Sequence, residues 1–93
     1  MAVLYALLVR LLAAGVRGFQ RYEQQVLALL ACHRGQLERR LRSSDGQTEA
    51  QLVSFAPVEH FPSYRDDARR AELQPLLARS GAQVDLHELY DVP

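Results

Sequence analysis

Apolar residues change their spacing several times along the 93-residue chain, and each change marks a new structural element. Residues 2–11 form a short apolar run containing Val and Tyr, which favours a strand buried on both faces. Leu and Ala are also strong helix formers, so a helix is the competing prediction there. After Gly18 the apolar residues follow a helical period, which predicts an amphipathic helix over 17–32 that stops near Gly35.

The middle of the chain alternates apolar and polar residues, which is typical of a hairpin with one solvent-facing side. Asp45 and Gly46 give the best turn signal, and the flanking strands are predicted at 36–43 and 48–55. A helical spacing follows, but two prolines should kink or interrupt it. The last three elements are two helices and a strand, predicted over 58–65, 68–79 and 82–90.

The resulting order, β-α-β-β-α-β, predicts an α+β fold with a ferredoxin-like split sheet of strand order 4-1-3-2. Residues 1–93 are predicted to form one domain. The first strand then lies inside the sheet, as its apolar composition requires. A signal peptide is disfavoured because the start lacks Lys and Arg, and because Arg10 interrupts the apolar run. We therefore expect the amino terminus to be retained and no membrane partner.

Charge and cysteine content narrow the classes of function. Acidic and basic residues balance at 11 each, so the basic excess of a nucleic-acid-binding protein is missing. All 11 basic residues are Arg, which coding bias explains; arginines converging on an anion are the alternative. Cys32 is the single cysteine; it indicates a reducing cytoplasm and is expected to pack within its helix. No metal-ligand spacing is present, so we expect no metal and no cofactor.

Two long stretches of the chain carry a resemblance to a known family. In FQRYEQQVLALLACHRGQLERRLRS, a helix starting Phe-x-x-Tyr-Glu leads to a His-x-Gly turn and a strand. In LVSFAPVEHFPSYRDDARRAELQPLLARSG, a strand ending in Ser-Phe precedes a helix with Phe61 and Tyr64. On these residues the chain resembles the dimeric α/β-barrel superfamily, which includes antibiotic-biosynthesis-type monooxygenases and stress-responsive barrel proteins. The motifs are typical of the fold rather than of one reaction.

The resemblance implies a homodimer, formed through the uncovered sheet face, and a small-molecule site between the sheet and the helices of each subunit. Apolar residues on both faces of the first strand lead to the same expectation, because a monomer would expose them as a patch. Heme-degrading members of the superfamily use an Asn, Trp and His arrangement. This chain contains neither Asn nor Trp, so that activity is not expected.

Histidine and aromatic residues are the candidate site residues. His87 on the last strand and His60 on the edge of a helical stripe are the candidate general bases, because His titrates near neutral pH; a structural histidine is the alternative for each. Aromatic side chains are expected to converge with His87 between sheet and helices and to contact a ligand, with core packing as the alternative. These aromatic residues are Tyr5, Tyr22, Phe61 and Tyr64.

Two charged residues have two interpretations each. Glu23 is expected on a solvated helix face, with an ion pair to an Arg of the hairpin as the alternative. Arg39 is expected to share a face with Leu37 and Leu41 and to form a salt bridge across the dimer, rather than to bind an anion inside.

Two classes of function follow from the sequence. The first is a homodimer that binds a small apolar or aromatic molecule. The second is a cofactor-free monooxygenase or cyclase-like enzyme acting on an aromatic or polyketide-like substrate. Convergent polar side chains in the cleft would favour the enzyme, whereas a cleft closed by apolar side chains would favour binding.

Overall fold

The computed structural model describes residues 3–55 and 60–93 as a four-stranded antiparallel sheet accompanied by three helices. The strands are β1 (Val3–Arg10), β2 (Gly35–Arg42), β3 (Thr48–Phe55) and β4 (Gln83–Leu89). The helices are α1 (Val16–Leu27), α2 (His60–Arg65) and α3 (Ala68–Ser80). Short 3₁₀ turns precede and follow α1, at Ala13–Gly15 and Leu30–His33.

The sheet order is β2-β3-β1-β4, so the predicted fold class and strand order are confirmed. β1 lies inside the sheet, between β3 and β4, and the competing prediction of a helix at this end of the chain is wrong. The helix predicted over 17–32 ends earlier, at Leu27, and its last turn is the separate 3₁₀ turn. The predicted starts of the first strand, at residue 2, and of the helix over 58–65, at residue 58, lie outside the described residues.

The helices are fixed at their ends by specific contacts. The Asp67 carboxylate accepts a hydrogen bond of 2.8 Å from the Arg69 backbone N–H and so caps α3. α3 continues through Pro75 and ends at Gly81, whose φ of 69° is left-handed. The start of α1 and the end of α3 approach closely at Gly15, the residue before α1. The contact requires glycine, since a Cβ there would overlap the carbonyl oxygen of Ser80.

The two sides of the sheet differ in what covers them. Side chains alternate along each strand, so residues paired across strands share a side. The side that packs against the helices is called the inner face, and its members include Tyr5, Leu7, Val9, Gln51, Val53, Phe55, Val84 and Leu86. The opposite side is called the outer face, and its members include Leu4, Ala6, Leu8, Ala50, Leu52, Asp85, His87 and Leu89.

A β-bulge in β2 changes the face of the residues that follow it. The register shifts between Leu37, which lies opposite Val53, and Arg39, which lies opposite Leu52. Leu37 therefore packs toward the core, whereas Leu41 is 51% exposed on the outer face. The prediction that Leu37, Arg39 and Leu41 share one face is wrong, because the extra residue reverses the alternation.

Two other sequence-based expectations can be checked against the fold. Cys32 is exposed in the 3₁₀ turn after α1, so the prediction that it packs in a helix is wrong. In the part of the chain that the structure describes, every helix is too short or too polar to cross a bilayer.

Candidate functional site

A cavity of about 190 Å³ lies between the inner face and the helices. Most of its walls are apolar or aromatic, and a few charged side chains reach it, which is the usual makeup of a small-molecule site. Its lining comes from all three helices and from β1, β3 and β4: Tyr5, Leu7, Val9, Phe19, Tyr22, Glu23, Val26, Leu27, Gln51, Val53, Phe55, Phe61, Tyr64, Arg65, Arg70, Leu77, Val84 and Leu86.

Aromatic rings form one wall of the cavity. The rings of Tyr5 and Phe61 stack with centroids 4.0 Å apart and an interplanar angle of 17°. Phe55, which ends β3 and is fully buried, meets both rings edge-on at 6.1 Å and 5.6 Å. Because each ring is fixed by another ring, this wall offers a flat apolar surface to a ligand.

Tyr64 and Arg70 form a second wall from α2 and α3. The Tyr64 hydroxyl donates to the Val26 carbonyl at 3.2 Å, and burial raises its pKa to about 12. The Arg70 guanidinium lies 4.7 Å from the Tyr64 ring centroid, a cation–π geometry. Its Nη2 donates to the Tyr22 hydroxyl at 3.4 Å, so two phenol groups border this arginine.

Two buried carboxylates lie at one end of the site. Glu23 on α1 and Glu49 on β3 are each about 1% exposed or less. The Gln51 side-chain amide donates to both, at 2.6 Å and 2.7 Å. We call these residues, together with Arg40 and Arg42, the charge network.

Two arginines of β2 neutralise these carboxylates. Arg42 donates to Glu49 at 2.8 Å and to Glu23 at 3.1 Å, and Arg40 donates to Glu23 as well. The prediction that Glu23 lies on a solvated helix face is therefore wrong, and the alternative of an ion pair with the hairpin is confirmed. The bulge is the cause, because it brings Arg40 and Arg42 to the inner face.

The cavity opens toward solvent beside β4. Val84 and Leu86 line it but are 41% and 49% exposed, because β4 has no helix packed over it. Glu88 follows on the same face, and burial together with the charge of Glu88 raises the pKa of Tyr5. A ligand can therefore enter beside the edge strand.

The structure brings together four of the six predicted site residues and separates the other two. Tyr5, Tyr22, Phe61 and Tyr64 all border the cavity. His87 lies opposite Ala6, exposed on the outer face, so the expected convergence of His87 with the aromatic residues is wrong. Its face follows from the register: β4 carries apolar residues on both sides, so alternation alone did not decide which side faces the helices.

His60 and His33 lie outside the cavity lining. His60 is half-buried at the described start of α2, and its carbonyl accepts from the Ser63 hydroxyl at 2.9 Å. His33 contacts Ser63 at 2.9 Å and Asp67 at 2.7 Å, which ties the turn after α1 to the start of α3. The Ser63 hydroxyl lies 2.9 Å from both the His60 carbonyl and the His33 Nδ1, so the tautomer of His33 decides which of them accepts its proton.

Sequence reasoning missed Arg70 and misplaced Glu23. The buried positions of α1 are Phe19, Tyr22, Glu23 and Val26, which is an i, i+3, i+4, i+7 pattern that includes the acid. That spacing was a usable signal for burial. Arg70 carried no comparable signal, because its surroundings come from three helices. Among the described residues, no group of three metal-binding side chains comes together.

The chain was compared with known families, curated proteins and solved structures. No family model and no curated protein matches it. Among solved structures it is similar to SnoaB of Streptomyces nogalater, a cofactor-independent oxygenase, with 13% identity, a TM-score of 0.79, and coverage of 99% of this chain and 94% of that chain.

Two further structures show the same similarity. Rv0793 of Mycobacterium tuberculosis matches with 10% identity and a TM-score of 0.76, over 100% of this chain and 97% of that chain. A NIPSNAP-family protein of unknown function from Agrobacterium tumefaciens matches with 15% identity and a TM-score of 0.64, over 94% and 87%. This chain thus has the same ferredoxin-like fold as these three structures, and identities this low establish the fold alone.

Proposed function

We propose that this protein is a homodimer that binds a small apolar or aromatic molecule in the cavity between the inner face and the helices. The stacked aromatic wall is the observation that carries the proposal, since a preformed flat apolar surface suits a planar ligand. A cavity of roughly 150 Å³ accommodates benzene in another protein, so about 190 Å³ suits one substituted ring.

The outer face supports the homodimer. Leu8, Leu41 and Leu89 are 45%, 51% and 40% exposed there, next to half-buried Leu4 and Leu52. A contiguous apolar patch of this kind is typical of an interface rather than of a solvated surface. A second copy of the chain related by a two-fold axis would cover it with a matching patch. Arg39, on the same face, stays the proposed salt-bridge partner across that interface.

The binding proposal is tested with para-ethylbenzamide, a neutral single-ring probe, by isothermal titration calorimetry or chemical-shift perturbation. Leu7→Trp places a large ring in the cavity and should weaken binding more than ten-fold, since overfilling leaves no room. Leu12→Trp is the matched control, because Leu12 is 75% exposed and outside the lining. Equal binding by both variants would overturn the proposal.

A second candidate is a cofactor-free monooxygenase, which the fold shared with SnoaB favours. Conversion of an activated aryl CH₂ group to C=O by O₂ releases water, and the substrate supplies all four electrons that reduce O₂. No cofactor is needed for that balance, but a proton acceptor is. Among the described lining residues no histidine is present, and Glu23 is held by Arg40 and Arg42. This arrangement favours binding over oxidation.

Oxindole, a single benzene ring fused to a lactam that carries such a CH₂ group, suits the size of the cavity and separates the two candidates. Aerobic incubation with the protein should give O₂ consumption no faster than the buffer rate if binding is the function. Stoichiometric O₂ uptake with isatin formation, lost in Leu7→Trp and kept in Leu12→Trp, would establish the oxygenase instead. The exposed thiol of Cys32 suits the reducing cytoplasm in which we place the protein.

A further inference from the structure

Arg70 differs from the other arginines around the cavity in its hydrogen bonds. Its Nε is buried and, within the part of the chain that the structure describes, has no hydrogen-bond partner. Nη1 donates to the Arg65 carbonyl at 3.2 Å, and Nη2 donates to the Tyr22 hydroxyl at the long distance of 3.4 Å. A buried, unsatisfied donor on a charged group is costly, so its retention at a cavity wall calls for a partner.

The acids near the cavity do not supply that partner. Glu23 is engaged by Arg40, Arg42 and the Gln51 amide. Asp66 is engaged by Arg65 through two hydrogen bonds of 3.0 Å. Arg70 forms no ion pair among the described residues. Its charge reaches Asp66 only at longer range: the hydrogen bond from Arg65 chiefly lowers the pKa of Asp66, and the charge of Arg70 adds to this.

The geometry around Arg70 matches one kind of group. A carboxylate binds an arginine side-on by accepting from Nε–H and from one Nη–H at the same time. The Tyr22 hydroxyl, which accepts from Nη2, has its own proton to donate to the same carboxylate. The guanidinium carbon of Arg70 lies 4.7 Å from the Tyr64 ring centroid, so a cation–π contact holds the group beside the cavity, and a rotation of the guanidinium brings the enclosed Nε–H to the ligand.

We infer that Arg70, with Tyr22, binds the carboxylate of a small aromatic acid whose ring occupies the cavity. The inference rests on the proposed binding function and names its ligand class: a single aromatic ring carrying one carboxylate. The ring packs against the stacked wall of Tyr5 and Phe61, and the carboxylate satisfies the buried Nε of Arg70.

Para-ethylbenzoate and para-ethylbenzamide test this, because they share shape and differ in charge. The unaltered protein should bind the benzoate at least about ten-fold more tightly than the benzamide, the effect expected of a charged hydrogen bond. Arg70→Gln should abolish that preference while benzamide affinity changes less than about two-fold. Arg70→Lys keeps the positive charge but loses the paired N–H donors of the guanidinium, so it should retain only part of the preference for benzoate over benzamide.

Arg79→Gln is the matched control, because Arg79 is exposed on the same helix and outside the cavity lining. It should leave both affinities unchanged. If the unaltered protein binds benzamide and benzoate equally, the inference falls and the binding function stands; if it binds neither, the binding function falls. A preference that survives unchanged in Arg70→Gln, or in Arg70→Lys should the first variant not fold, also overturns the assignment.

Discussion

The two faces of the sheet use the same alternation of side chains for opposite purposes. The inner face buries charge: Glu49 of β3 and Glu23 of the covering helix α1 are almost fully enclosed, with Arg40 and Arg42 matched to them. The outer face exposes leucines. Among the described residues it carries one ion pair, Arg10–Asp85, which spans 3.5 Å with both side chains more than half exposed. Polarity of a residue therefore does not reveal its face in this sheet.

The difference shows what decides burial here. A charged side chain is buried where complementary groups surround it, because its lost hydration is then replaced by hydrogen bonds. An apolar side chain is exposed where no layer of the same chain reaches, which is the situation of the outer face and of β4. The largest expected effect comes from charging two leucines of β2, Leu37 and Leu41, which lie on opposite faces of the sheet.

Leu37→Arg should destabilise the fold, and Leu41→Arg should leave the fold intact but dissociate the proposed dimer. Leu37 packs against the core, so an unpaired charge there is expected to cost about 3 kcal/mol or more in unfolding free energy. Leu41 is exposed on the outer face, so a charge there should weaken only the association of two subunits through that face. Urea denaturation measures the first effect, and light scattering on the 10.5 kDa chain measures the second.

The comparison breaks if the two leucines behave alike. A stable, dimeric Leu37→Arg variant would show that Leu37 does not pack against the core. A dimeric Leu41→Arg variant, or an unaltered protein that is monomeric at tens of micromolar, would remove the outer face as the dimer interface.

Glu23→Ala should lower the unfolding free energy by about 3 kcal/mol, because it removes one of the two carboxylates of the charge network and leaves Glu49 alone to match two arginines. Partial exposure of both arginines places the expected cost at the lower end for a broken buried pair. Arg10→Gln on the outer face is the counterpart and should change stability by less than about 0.5 kcal/mol, as exposed pairs do. Equal losses in urea denaturation would contradict the distinction between the faces.

Alkaline pH should lower the free energy of unfolding through Tyr64, because burial raises the pKa of this side chain to about 12. The unfolded chain releases this proton near pH 10, so the folded state holds it more tightly. Stability should thus be unaffected below about pH 10 and fall by on the order of 2 kcal/mol between pH 10 and 12. Tyr64→Phe should show a shallower loss when urea midpoints are compared across this range.

Tyr90 is the exposed counterpart of Tyr64. The hydrogen bond with Glu88 raises its pKa, but its ring is 69% exposed, so solvent screens the effect. Tyr90→Phe should therefore leave the alkaline loss nearly as steep as in the unaltered protein. If instead Tyr90→Phe removes the loss and Tyr64→Phe does not, burial is not its source.

Periodicity was sufficient to predict every strand and helix in the described residues, because each element carries its own spacing. It also placed Tyr5, Tyr22, Phe61 and Tyr64 around the cavity, since they lie on the helical stripes and on the central strand. Each of these aromatic residues lies on the side of its own helix or strand that packs between the sheet and the helices, so local spacing was enough to bring them together.

Features that depend on pairing between distant residues could not be predicted in the same way. The bulge in β2 depends on its register with β3, and the neutralisation of Glu23 depends on arginines 17 and 19 positions further along the chain. His87 was misplaced because β4 has apolar residues on both sides, so its register with β1 decides its face. Arg70 acquires its surroundings only when α1, α2 and α3 assemble.

The bulge in β2 also affects how this chain is compared with its relatives. Side chains along a strand alternate with a period of two residues, and the bulge adds one residue to that repeat. Each residue of β2 after the bulge therefore faces the side opposite to the one that simple alternation from Leu37 predicts. An ungapped alignment with a strand that lacks this bulge assigns Leu41 to the charge network and Arg40 and Arg42 to the outer face. A gap placed at Glu38 corrects this assignment. Substitutions at Arg40 and Arg42 are then counted as changes on the inner face, and substitutions at Leu41 as changes on the outer face.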